Sequence, residues 1–188
     1  MPDKRLLSEM ERKMKLSVQA TAEDLATVRT GRASPAVLDK ILVEAYGSRL
    51  PIKQLANITA PEPRLLIIAP WDKSVTNSII SAITKSDLGF NPIKDGDIIR
   101  VPIPPLTEER RKELAKLVAR KTEQGKVALR NIRHDAIDEL RKREKDKENP
   151  ISEDEVRRTR EEIYVMTKRY EEEIDKLHKN KEAEIMEV

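Results

Sequence analysis

The sequence predicts an α+β protein in which an elongated three-helix bundle carries a small α/β domain, inserted between its first and second helices. Three observations carry that prediction. Nine of the eleven prolines lie between Pro35 and Pro105, so the middle of the chain is punctuated and its ends are not. The flanking stretches repeat apolar residues in steps of three and four, the period of a helix face. Charged residues make up 38% of the chain and only five of 188 residues are aromatic. That composition suits a narrow bundle sealed by a thin apolar seam better than one large core.

The first helix is read from residues 3–29, where Leu7, Met10, Met14, Val18, Thr21, Leu25 and Val28 share one stripe. The second runs through 106–149, a stretch without proline and with a single glycine, Gly125. Thr107 is placed to cap it, and Glu108 and Glu109 suit the positive end of its dipole. Its expected stripe is Leu114, Val118, Gly125, Ile132, Ala136 and Leu140, and Asn149-Pro150 ends it. The third begins at a capping box, Ser152 with Glu155, flanked by Ile151 and Val156 at the two positions of a hydrophobic staple. Its stripe is Val156, Ile163, Met166, Tyr170, Ile174, Leu177 and Ile185. Tyr164 and Tyr170 are both expected in the seam rather than as stacking platforms. Three such helices bury one another's stripes by lying side by side.

The middle has another rhythm. Residues 41–43 and 65–68 read as short strands, Asp95-Gly96 as a hairpin turn, and 73–86 as a helix with Val75, Ile79, Ile80 and Ile83 inward. Trp71 is expected in the core of this unit. The predicted boundaries are 1–30 and 106–188 for the bundle and 31–105 for the insert. The chain must then leave the bundle at Thr30-Gly31 and return at Pro104-Pro105, both at one end of the rod. Gly31 can take the left-handed conformation that ends a helix, and the prolines restrict the return strand. Two adjacent crossings would serve as a hinge; with Gly31 as an ordinary cap they would serve equally as a fixed joint.

Several function classes are excluded. There is no cysteine, hence no disulfide or thiol chemistry. No apolar run has membrane-spanning length and the first residues do not form a signal peptide, so a cytoplasmic protein is expected. His134 and His178 fall on different helices with no nucleophile around them, the five glycines are scattered, and Asp95-Gly96-Asp97 lacks the rest of a calcium loop. No catalytic residue, metal site, cofactor or small-molecule substrate is expected, and the chain is not read as an enzyme.

The feature above background is on the second helix. Between Arg110 and Arg133 there are nine basic and two acidic residues. On a helical wheel Lys112, Lys116, Lys126, Arg130 and Arg133 fall roughly 100–200° from Leu114, away from the seam. A ridge of this kind tracks phosphates without reading bases. No aromatic residue interrupts it, so a folded RNA recognised by shape is the expected target rather than a stacked single strand. Taken by itself, a charge run more often does no more than keep a helix soluble.

A resemblance reverses that balance. Arg29-Thr30-Gly31-Arg32-Ala33-Ser34-Pro35, Ser86-Asp87-Leu88-Gly89 with Asn91-Pro92, Arg100-Val101-Pro102, the run from Pro104 to Arg111, Arg130-Asn131-Ile132-Arg133 and the closing Lys181-Glu182-Ala183-Glu184-Ile185-Met186 resemble the bacterial ribosome recycling factor family, in order and over the full length. The resemblance implies an antiparallel three-helix bundle hinged to a small α/β domain in a tRNA-like L. It also implies binding to large-subunit rRNA of the post-termination ribosome, and subunit dissociation together with elongation factor G and its GTP hydrolysis. It points to Arg110, Arg130 and Arg133 as RNA contacts and to Thr30, Gly31, Pro104 and Pro105 as the hinge. Arg29 and Arg32 match motif positions beside that hinge and are expected to reach RNA there, although Arg29 also complements a helix C-terminus. His134 stands where the family often has a second arginine, one phosphate contact fewer. A monomer is expected. The rival reading is a cytosolic helical adaptor or chaperone, whose binding would be indifferent to salt.

Overall fold

The computed structural model describes residues 2–187. In chain order its elements are α1 (Lys4–Ala26), β1 (Leu42–Ala45), β2 (Ser48–Pro51), β3 (Ala56–Glu62), β4 (Leu65–Pro70), α2 (Thr76–Thr84), β5 (Ile93–Asp95), β6 (Ile98–Pro102), α3 (Glu108–Glu144) and α4 (Glu153–Met186). The fold class is α+β, as the periodicities predict. The chain divides into two compact units, Met1–Arg29 with Lys112–Glu184, and Thr30–Arg111 with Ile185–Val188.

The first unit is a bundle of α1, α3 and α4. With 37 and 34 residues, α3 and α4 are about 55 and 51 Å long. The pairing of residues fixes their directions. Asp3 meets Arg143 and Asp24 meets Lys121, so α3 runs against α1. The Asp3 backbone N–H donates to Thr159 and Arg169 donates to Glu11, so α4 runs with α1. Met10, Met14, Leu129, Leu140, Ile163, Tyr170 and Ile174 form the seam. The helix starts follow the expected chemistry: Thr107 Oγ1 accepts from the Arg110 N–H and Ser152 Oγ from the Glu155 N–H, each at 3.2 Å. Val156 is buried and Ile151 packs beside it on the same core.

Several seam expectations change. Leu6 rather than Leu7 is buried on α1, and Val18, Met166 and Leu177 are half-buried. On α3, Thr122, Leu129 and Ile137 are buried while Ile132 is only half-buried. A helix touching two neighbours buries a wider arc than one stripe. Tyr164 is not a seam residue: it is 50% exposed, one step of about 100° past the inward Ile163.

The second unit holds a two-stranded sheet, β1-β2, and a four-stranded antiparallel sheet of order β3-β4-β6-β5. Leu66 and Ile68 of β4 lie opposite Val101 and Ile99 of β6, and these four pack with Ile79 and Ile83 of α2 and with Val43, Leu38 and Ile52. Trp71, expected in this core, is 69% exposed. It follows Pro70 at the end of β4, and alternation puts it on the opposite side of the strand from Leu66 and Ile68; its backbone N–H donates to the Leu55 carbonyl instead. Ala33 and Ile103 meet one turn. The Ala33 N–H donates to the Pro63 carbonyl at 2.7 Å and the Ile103 N–H to that of Arg64 at 2.8 Å. Gly31 has φ +75°, and a Cβ there would sit 2.9 Å from Leu106 Cγ. Both conditions require glycine.

Candidate nucleic-acid interface

The cations predicted to meet RNA along the bundle part of α3, from Lys112 to Arg133, fall into three groups once their neighbours are visible. Lys112, Lys116 and Arg130 are exposed along α3 of the bundle. Among the described residues Lys116 forms no ion pair, and nor does its exposed neighbour Arg120. Arg130 is linked to Glu123 on its own helix at 2.9 Å, both side chains remaining about half exposed. Such a surface pair is weak and exchanges readily for a better anion.

Lys126 stands differently. Its ammonium lies 2.6 Å from Asp175 of α4 and only 26% of its side chain is exposed. Lys121, off the predicted face, is tied in the same way to Asp24 of α1 at 2.5 Å. These two lysines pin α3 to its neighbours and lose much of their positive potential in doing so.

Arg133 forms the third group. It is half-buried, yet no carboxylate of the described residues holds it. Its guanidinium carbon lies 5.6 Å from the centre of the Tyr164 ring. Stacking over an aromatic face fixes the plane of the guanidinium while leaving its N–H edge unspent.

Arg29 is exposed at the end of the α1 segment and forms no ion pair among the described residues. Arg110 and Arg32 belong to the small unit. Arg110 is exposed in the first turn of α3, and Arg32 pairs with Glu187 at 3.4 Å with both half exposed. The residues expected at the crossings contrast in burial: Thr30 is buried, Gly31 half-buried, and Pro104 and Pro105 are exposed; the two prolines lie inside the second unit, which runs on to Arg111. Tyr164 and Arg120 stand on this face outside the predicted set. Arg120 counts among the nine basic residues but falls off the predicted arc, and Tyr164 was expected in the seam because nothing within α3 encodes which α4 residue lies beside it.

Among the described residues no cluster of His, Cys, Asp or Glu is arranged to hold a metal ion, and no helix is long and apolar enough to cross a membrane. What the face offers is a row of cations spaced along one side of a rod, which is suited to a repeating anion.

Known proteins resemble this chain over nearly its whole length. The ribosome recycling factor family matches residues 21–186. The ribosome-recycling factor of Symbiobacterium thermophilum is 50% identical over 185 residues, 98% of this chain and 99% of that one. That of Bacillus licheniformis is 51% identical over 183 residues, 97% and 98% of the two chains. A ribosome recycling factor structure determined in solution superimposes with a TM-score of 0.66 at 42% identity, covering 98% of this chain and 97% of the other. A second similar structure, with TM-score 0.62, 43% identity and full coverage of both chains, is the Thermus thermophilus factor, described with Escherichia coli elongation factor G on the E. coli post-termination complex. By sequence over nearly its whole length and by fold, the chain belongs to the ribosome recycling factor family.

Proposed function

We propose that the chain binds the post-termination ribosome through ribosomal RNA contacts of the bundle and, with elongation factor G and GTP, promotes dissociation of the subunits. The observation that carries the rRNA part is the set of cations on the open side of α3 that no carboxylate claims: Lys116, Arg120 and Arg133. With Lys112, Arg130 and Arg110 on the same helix, and Arg29 and Arg32 near the crossings, they supply phosphate contacts. Lys126 contributes less, because Asp175 already holds it. This is the work of a translation factor, not of an enzyme. The free energy comes from the GTPase, and this protein supplies a stiff rod with a charged footing. Thr30-Gly31 and Pro104-Pro105 act as the hinge on which residues 31–105 move, and the protein works as a cytoplasmic monomer.

The test is cosedimentation with purified ribosomes. Arg133→Glu should abolish it while far-ultraviolet circular dichroism stays unchanged; undiminished binding would sink the RNA-facing assignment. A polysome-breakdown assay tests the recycling step. Breakdown should need this protein, elongation factor G and GTP together.

A further inference from the structure

The Arg133–Tyr164 contact joins two helices. Arg133 lies on α3 and Tyr164 on α4, and Tyr164 is 50% exposed. An aromatic residue left outside the seam of a bundle with so few aromatics calls for a use. The Tyr164 hydroxyl has no hydrogen-bond partner among the described residues. One turn earlier on α4, Arg160 is exposed and unpaired, and the nearby Glu161 is engaged by Arg157 at 3.5 Å. Glu161 and Glu162 precede the ring on α4, and neither forms an ion pair with Arg133. The contrast with Lys126, seven residues earlier on α3, is direct: there α4 presents Asp175 and the cation is neutralised. At Arg133, α4 presents a ring, which orients a cation without cancelling it.

We infer that Tyr164 is part of the RNA-contacting surface, acting as the platform that holds the Arg133 guanidinium with its N–H edge free for a phosphate. The surface therefore spans two helices rather than one. This rests on the reading of α3 as an rRNA-facing helix. Tyr164 is a positioning residue: its contribution passes through Arg133, and a chain lacking Arg133 has nothing for the ring to position.

The experiment measures affinity of the full chain for purified vacant ribosomes, comparing wild type with Tyr164→Leu, Tyr164→Phe, Arg133→Ala and the Arg133→Ala/Tyr164→Leu double variant. Tyr164→Leu should weaken binding roughly two- to five-fold, the range of an exposed cation–π contact. Tyr164→Phe, which keeps the ring, should bind like wild type. In the Arg133→Ala background the leucine should cost nothing further, since the coupling has already been removed. Unchanged affinity for Tyr164→Leu overturns the inference, as does an equal loss in both backgrounds, or a phenylalanine as harmful as leucine. If Arg133→Ala itself binds at full strength, the RNA reading of α3 fails and this inference with it.

Discussion

At Gly125 a bare backbone stands where α1 and α4 both press against α3. A Cβ at this position would lie 2.5 Å from Thr21 Oγ1, 3.0 Å from Thr21 Cγ2 and 3.2 Å from Ile174 Cδ1. Thr21 cannot simply turn aside, because its hydroxyl donates to the Ser17 carbonyl at 3.0 Å. A mid-helix glycine costs up to about 1 kcal/mol relative to alanine, so close approach is what makes it worth keeping. Gly125→Ala should therefore lower stability, by about 1–3 kcal/mol as in other overpacked cores, measured by urea unfolding; adding Thr21→Ala should recover most of the loss. A second residue sets acid sensitivity. The Tyr170 hydroxyl donates to Glu11 at 3.1 Å and holds its carboxyl below the usual carboxylate range, with Lys15 and Arg169 assisting. A lowered folded pKa means that the folded chain binds fewer protons than the unfolded one. The stabilisation is thus complete above the ordinary carboxyl value of 4.5 and is lost as pH falls through the lower folded value. Glu11→Gln should flatten that part of the stability curve, which thermal melts between neutral and acid pH would reveal.

Among elements, α3 shows how an apparent charge ridge separates into parts with different work. Lys116→Ala should reduce the slope of log affinity against log salt by about one, as loss of a phosphate contact does. Lys126→Ala should change that slope less and instead loosen the bundle, seen as a lower melting temperature, because it breaks the link to Asp175. Equal slopes for the two variants would remove the distinction. The helices themselves were legible in the sequence because caps and a 3.6-residue period act locally: Thr107 and Ser152 cap where they were expected to. Strands β2 and β3 were not. Both are edge strands, where proline and polar residues such as Pro51 and Pro61 are tolerated, so neither shows the apolar run that revealed the central β4. The basic ridge of α3 was legible as charge but not as free charge. Whether Lys126 meets a carboxylate and Arg133 a ring depends on residues of α4 about fifty and thirty positions away along the chain, and no spacing rule within α3 encodes that.

For the whole molecule, the net charge of +3 understates the local field. From Ser152 onward the chain is net acidic, while α3 from Arg110 to Arg133 is strongly basic. Association with ribosomes should weaken steeply as salt is raised, whereas a helical adaptor joined to a protein partner through apolar contacts would barely respond. The hydrogen bonds at Ala33 and Ile103 have a separate consequence. Their acceptors, Pro63 and Arg64, are consecutive residues, so the two ends of the insert emerge within about 10 Å of each other, given the dimensions of a peptide unit. A segment closed on itself in this way resembles a bead clipped onto a string. Cutting out residues 33–103 and rejoining the string with a few flexible residues should leave a rod that still folds, and the excised bead, carried on another protein's exposed loop, should keep its own core.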